Sequence, residues 1–362
     1  MLLALGGGYS SVKAVPQELR IPMEEVYNYL PPHRNVWDMI IFEDKLYAGS
    51  GDYDINAGPI NVWCYDILSG KWGNSGKLPD EELSRFIIIN GELVAPGIDP
   101  RGDWNLGNYY VLKDSEWKTV RTIPGGIHTF DMVSFDGLLF AACGVAAGET
   151  PILCSQNGGE SFETVPMKKE RALIDTSNSK VIRAYDFFVM ADTLYATFFH
   201  DDTGNDAFEF DLYRYEDGEF VFFNDWLSRT GYMLLWNVFT GAKETFHDKV
   251  FFTTGYLYTT TDMDYITNIH FPASEVVWDL IEFNEVLYVL CSKEQKDGSY
   301  RMSVWENKTG ADKDFKEIFN FNYALPAMSF ARTDDTFYFG IGQKDNDNPL
   351  RGMVLSVDFN TD

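Results

Sequence analysis

Hydrophobic and polar positions along this chain of 362 residues fall into short, paired runs. An apolar segment of strand length meets a polar turn, and a second apolar segment opens on a large aliphatic or aromatic residue. In chain order the pairs read IIFEDKLYAGSG, IIINGELVAPG, VSFDGLLFAACG, FFVMADTLYATFF, ETFHDKVFFTTG, IEFNEVLYVLC and FARTDDTFYFGIG. Short apolar runs bounded by Gly, Asp and Asn predict strands joined by hairpins. The residues that open the second segments are Leu46, Leu93, Leu139, Leu194, Val250, Leu287 and Phe337. Their spacing of roughly 50 residues is that of a repeat architecture.

Each unit has a second half, for example PINVWCYDILSGKW in the first and NYYVLKDSEWKTV in the next. Four strands per unit are therefore expected. The tight turns carry the residues that tolerate positive φ, as at Asn90-Gly91, Asp136-Gly137, Asn157-Gly158 and Asp217-Gly218. The seventh unit ends one strand short, at GMVLSVDFNTD. Near the N-terminus, Tyr9 to Pro16 repeats the aromatic-x-x-Val-basic-x-aliphatic-Pro pattern of Trp117 to Pro124. Residues 9–15 are expected to supply the missing strand by pairing near Met353 to Val357, which would close a ring and hide an open edge.

Composition agrees with an all-β chain. Aromatics make up 16% of the residues, and such side chains pack well on pleated surfaces. Charge narrows the partners. The 55 acids outnumber the 29 bases, for a net charge of −26. Such a chain repels phosphate backbones and anionic membranes, so direct nucleic-acid recognition and membrane binding are not expected. Basic partners or divalent cations fit the charge. Cys64, Cys143, Cys154 and Cys291 form no CxxC pair and read as free thiols. The opening MLLALGGGYSS lacks the basic and long apolar regions of a signal peptide, and no apolar run reaches the ~18 residues of a membrane span. A cytoplasmic or virion setting is the expectation.

The stretch SQNGGESF, Ser155 to Phe162, resembles the Asp-box S-x-D-x-G-x-[ST]-[WF], with Asn157 in the place of the Asp. With the repeat length and the turn placement, the whole chain resembles the kelch and Asp-box group of β-propellers. The resemblance implies one all-β domain over residues 1–362: seven four-stranded antiparallel blades around an axial channel, with the N-terminal strand completing the last blade. In that group the Asp-box turn lies away from the catalytic site. The same frame carries enzymes, lectins, scaffolds and viral components, so fold alone does not fix function.

Two sets of candidate site residues follow. The longer polar loops, expected on one face, carry Asp52, Asp54, Asp99, Arg101, Asp103, His200, Asp201, Asp345 and Asp347. Binding residues concentrate on loops held by a rigid frame. Within them Asp52-x-Asp54-x-Asn56 resembles half of a calcium loop, although Gly58 comes one place late and Trp63 stands where the last ligand belongs. Calcium is thus the one cofactor these residues suggest. The second set stands eight residues before the anchors: Asp38, Arg85, Asp131, Asp186, Asp279 and Ser329, with Asn237 taking the part in the fifth unit. An aromatic precedes most of them. These residues are expected to ring one mouth of the channel. Either they bind a ligand, or they hydrogen-bond the backbone of neighbouring blades. Arg85, the cation among acids, is expected to orient an anion or to pair with Asp38 or Asp131.

Catalytic signatures are thin. Leu19-Arg20-Ile21-Pro22 resembles the first arginine motif of sialidases, and Arg20, Arg85, Arg183 and Arg332 are available for a carboxylate-binding cluster. G-x-S-x-G, H-E-x-x-H and P-loop patterns are absent. The leading reading is a non-catalytic binding or scaffold module that engages a protein or glycan through an acidic, loop-rich face. The alternatives are a structural component of a larger assembly, such as a bacteriophage tail or virion protein, and a sialidase-like glycoside hydrolase or lectin.

Overall fold

The computed structural model describes residues 12–22, 35–51, 58–100, 105–145, 150–169, 172–173, 182–202, 207–224, 242–271, 275–342, 350 and 352–359. These residues form strands and turns, with no helix among them. Consecutive strands pair antiparallel as meanders. Five stand as separate sheets, spanning residues 36–78, 87–124, 243–269, 276–323 and 327–358. The other two meanders, residues 128–164 and 182–224, merge into one ten-stranded sheet through the pairing of Gly144 and Val145 with Arg183 and Ile182. The fold is a β-propeller in which five blades stand apart, where seven separate ones were expected.

The core lies between neighbouring sheets. Tyr47, Phe86 and Tyr110 fill the space between residues 36–78 and 87–124. Phe140, Phe187, Phe198 and Phe220 pack the two meanders of the ten-stranded sheet against each other. Phe319, Phe330 and Phe337 join residues 276–323 to 327–358. The ring closes where Ala331, Tyr338 and Val354 of the last sheet pack on Val36, Met39 and Leu46 of the first. Six of the seven anchor residues are buried to 2% exposure or less; Leu139 is half-buried. The periodicity located these positions because each opens the second strand of its sheet, whose two faces are both covered.

The N-terminal strand completes the last sheet, but not with the residues expected. Gln17–Leu19 pairs antiparallel with Val354–Asp358, with Glu18 opposite Leu355. Of the expected segment 9–15, residues 9–11 lie outside the described residues. Val12–Lys13 instead runs parallel to Lys316–Tyr323, on the outer edge of the preceding sheet. The likeness to Trp117–Pro124 correctly marked an outer-edge strand but not which edge it meets. Pro16 separates the two pieces, since it has no N–H to continue a ladder. The placing of His200 and Asp201 on a loop also needs correction. His200, Asp201 and Asp202 continue the strand Thr193–Asp202 and pair with Glu209, Phe208 and Ala207. Their polarity does not end a ladder held by backbone bonds.

Candidate functional site

At its first end the inner strand of five meanders carries a local irregularity, and this explains much of the ring; the strands Ile87–Ile89 and Lys243–Phe246 pair without one. The register shifts between Val36 and Asp38, Thr129 and Asp131, Ala184 and Phe187, Val277 and Asp279, and Ala327 and Ser329. These are β-bulges, which unpair a residue and re-aim its neighbour's side chain. Trp37, Phe130, Tyr185, Trp278 and Met328 fall within the shifts. The aromatic before Asp38, Asp131, Asp186 and Asp279 therefore marks the bulge, and Met328 takes that place before Ser329. Both indoles among them are tied back: Trp37 donates to Gly51 O at 3.0 Å and Trp278 to Ser292 Oγ at 2.6 Å.

A bulge frees backbone N–H groups that must find acceptors, and the ring carboxylates provide them. Asp38 Oδ1 accepts from its own neighbour Met39 N–H at 2.8 Å, while Oδ2 accepts from Phe86 of the next sheet at 2.5 Å. Asp131 accepts from Met132 at 2.9 Å and Phe187 at 2.9 Å. Asp279 accepts from Leu280 at 2.8 Å and Phe330 at 2.8 Å. In each case the distant donor directly follows the ring residue of a neighbouring meander. Ser329 closes the circle by donating from Oγ to Val36 O at 2.9 Å. Asp38, Asp131 and Asp279 are clasps between neighbouring meanders.

Arg85 and a residue missed in the sequence, Lys243, complete the arrangement. The Arg85 guanidinium donates to Asp186 Oδ1 at 2.7 Å and lies 3.2 Å from Asp131 Oδ2. Lys243 Nζ bonds Asp131 Oδ2 and lies 3.3 Å from Asp186 Oδ1. Arg85 thus pairs with Asp131, one of the two partners expected, and with Asp186 rather than Asp38. Burial alone would raise the Asp131 pKa, but Lys243 and Arg85 outweigh it and hold the carboxyl below its ordinary range. Burial would lower that of Arg85, but Asp131 and Asp186 hold it above its ordinary value. Asn237, expected as the fifth ring residue, lies outside the described residues. Keeping the eight-residue spacing from Val250 would have led to Ala242 and so to its neighbour Lys243.

The far wall of the channel has acids without ion-pair partners among the described residues: Asp38, Asp279 and Glu244. Burial pushes Asp38 up to about 6, against the pull of the Phe86 amide. Burial, then the charge of Asp38, pushes Asp279 well above its ordinary value. Burial pushes Glu244 up to about 7. Paired and unpaired acids border one axial cavity of about 830 Å3, whose walls include Trp37, Arg85, Asp131, Lys243, Asp279 and Arg332.

Of the loop residues, Asp52, Asp54, Arg101, Asp103, Asp345 and Asp347 lie outside the described residues. Asp99 is half-buried, its Oδ1 3.5 Å from His128 Nδ1. Burial, then Arg183, pushes His128 down to about 3, so its ring is neutral at neutral pH and stacks on Phe130 at 5.5 Å. Close by in the fold, Asp80 is fully buried, accepts bonds from Tyr110 Oη and Asn108 Nδ2, and is pushed by burial up to about 7. Among the described residues no three His, Cys, Asp or Glu side chains are placed to hold a metal ion. No helix among them is long and apolar enough to cross a membrane.

The Asp-box stretch is a self-bonded turn. Ser155 Oγ donates to Asn157 Oδ1 at 2.8 Å and accepts from Gly159 N–H at 2.9 Å; Asn157 Oδ1 also accepts from Ser161 N–H at 3.0 Å. Phe162 is buried edge-on to Tyr109 of the neighbouring sheet, and Thr122 Oγ1 donates to Gly159 O at 2.7 Å. Gly159 has φ +94°, and a Cβ there would stand 2.0 Å from Tyr109 Oη. Gly159→Ala is expected to cost about 3 kcal/mol. Gly158→Ala, at φ +69° in open space, should cost about 1 kcal/mol. Urea unfolding of the two variants side by side measures the difference; equal losses would show that the turn is not wedged against Tyr109.

No protein-family model matches the chain, and no curated protein matches it. Solved structures resemble it in fold. One is a chain of the mitotic checkpoint complex, 9% identical with a TM-score of 0.53 over 99% of this chain and 100% of that one. Another is the β-propeller domain of the Trilobed protease from Pyrococcus furiosus, 9% identical with a TM-score of 0.50 over 92% and 95%. A third is a Mycobacterium tuberculosis puromycin-hydrolyzing peptidase, 13% identical with a TM-score of 0.52; the match covers 91% of this chain and 51% of the peptidase. At such identities the likeness shows the β-propeller fold alone.

Proposed function

We propose that the chain is a single seven-bladed propeller of the kelch and Asp-box type, acting as a non-catalytic module that binds a protein with a basic surface. The ten-stranded sheet counts as two blades, since residues 128–164 and 182–224 are each four-stranded meanders with Phe140, Phe187 and Phe220 between them. The observation that carries the functional reading is the use made of the ring acids. Asp38, Asp131 and Asp279 are occupied by backbone amides of neighbouring meanders, and Asp186 by Arg85 and Lys243. The acids suited to chemistry at the channel mouth are thereby committed to holding the blades. The Asp-box turn likewise serves packing, which gives a glycosidase or lectin reading no support.

The acid excess then acts outward, and a basic protein surface is the partner it attracts. Binding of lysine-rich peptides to the immobilised protein is expected to weaken steeply as salt rises. Neutralising the loop acids together (Asp52, Asp54, Asp345 and Asp347 to Asn) is expected to weaken it at least ~10-fold, about 1.4 kcal/mol. Neutralising Asp136 and Asp217, in tight turns of the opposite end, should leave it nearly unchanged. The same loss per charge removed from both sets would reduce the effect to net charge and remove the case for a binding face.

A further inference from the structure

We infer that residues 12–19 form an exchangeable strap, and that the two strand edges beneath it are an interface for the same segment of a second copy of this chain. The strap spans two neighbouring sheets. Val12 and Lys13 lie opposite Phe319 and Asn320, and Ala14 N–H donates to Asn320 O at 2.9 Å. After Pro16, Gln17, Glu18 and Leu19 lie opposite Ser356, Leu355 and Val354. Tyr323 Oη adds one side-chain bond, donating to Glu18 Oε1 at 2.9 Å.

These attachments are shallow. Val12 is 65% and Val15 88% exposed, and no side chain of the two short strands is fully buried. Under the strap lies a cavity of about 200 Å3 bordered by Val12, Ala14, Val15, Gln17, Phe319 and Phe359. Protein interiors rarely leave such space, so the strap bridges the gap between the sheets without filling it. The first firmly buried side chain along this segment is Ile21, packed with Val36, Met39 and Val354. The strap can therefore leave while the chain stays anchored behind it.

The strands it covers do not depend on it. Lys316–Tyr323 is paired along its length with Tyr300–Asn307, and Val354–Asp358 with Thr336–Ile341. Release is then a local opening rather than unfolding. It uncovers two rows of backbone donors and acceptors, which are templates for another strand. The sequence that restores each lost pairing is residues 12–19 of another molecule. Exchange replaces each bond with its equal, which is what makes swapped dimers accessible at high concentration.

The test uses the full chain and does not depend on what the loop face binds. Concentrated protein held just below its unfolding temperature, then diluted and weighed by native mass spectrometry, is expected to contain a dimer that persists after dilution. A disulfide between the cross-strand partners, Gln17→Cys with Ser356→Cys, should abolish the dimer when oxidised and restore it on reduction. A labelled peptide of residues 12–22, added in excess to the wild-type chain, should be taken up one per chain; this readout stands even if the cysteine variant does not fold. A wild-type chain that stays monomeric and takes up no peptide overturns the inference. So does a dimer that forms undiminished in the oxidised variant.

Discussion

Arg85→Met is expected to lower the stability of the fold by about 3 kcal/mol, the scale on which one partner's removal leaves buried charge uncompensated. The fall should appear as a lower urea midpoint with an unchanged slope. Asp131 and Asp186 have side chains only 4% exposed, and Arg85 is 13% exposed. After the substitution Lys243 alone faces both carboxylates. The charge change separates this reading from simple packing. Arg85→Met combined with Asp186→Leu removes one cation and one anion, leaving Lys243 with Asp131, and should recover part of the loss. Additive losses in the double variant would show that the two side chains do not act as a unit.

The variant should also change the response to acid. Asp131 has its pKa held low in the native state. It therefore contributes stability above the unfolded carboxylate range, and this is lost as pH falls through the native value. Without Arg85 the native pKa rises and the contribution shrinks. The gap between wild type and variant should be wide at neutral pH and narrow toward pH 3. A constant gap across that range would mean that Arg85 acts through its aliphatic stem rather than its charge.

The strands and the ring were legible in the sequence because both are local and periodic. An apolar anchor such as Leu46 or Leu287 must recur wherever a second strand is covered on both faces. The residue eight places before it recurs because the bulge sits at a fixed distance from the hairpin. The aromatic before the ring position was also visible, but not its meaning. Only pairing shows that Trp37 and Trp278 fall where the register shifts. Lys243 escaped because an insertion was assumed in the fifth unit, whereas it stands seven residues before Val250, one place from the spacing of the other units. The strap escaped for a different reason. Which edge an N-terminal strand meets is decided by the three-dimensional order of the sheets, and local pattern does not encode that order. Likewise Arg85 could be recognised as the odd cation among acids, but its choice of Asp186, far away in sequence, is set by ring geometry.

The fold is expected to be more stable at pH 5.5 than at pH 8, on the order of 3 kcal/mol. Asp38, Glu244 and Asp80 have native pKa values pushed by burial to about 6, 7 and 7, against ordinary values of 3.8, 4.5 and 3.8. An acid with a raised native pKa binds its proton more tightly folded than unfolded. Between the unfolded and native values the folded state holds more protons, so stability falls as pH rises through that window. Above about pH 7 all three are ionised in both states and the full cost of their burial is present. The net charge of −26 acts in the same direction through general repulsion, and salt distinguishes the two causes. Added salt should weaken the repulsion between exposed charges and leave the buried acids nearly unaffected. Thermal midpoints measured at pH 5.5 and 8 in high salt therefore report mainly the buried groups. Glu244→Gln keeps an acceptor for the Glu282 amide and removes the titration, so it should reduce the slope near pH 7 to the part due to Asp80 and leave the slope near pH 6 to Asp38. A stability that is flat or rising from pH 5.5 to 8 in high salt would show that these acids are solvated in the folded protein and that the channel wall is not a low-dielectric site.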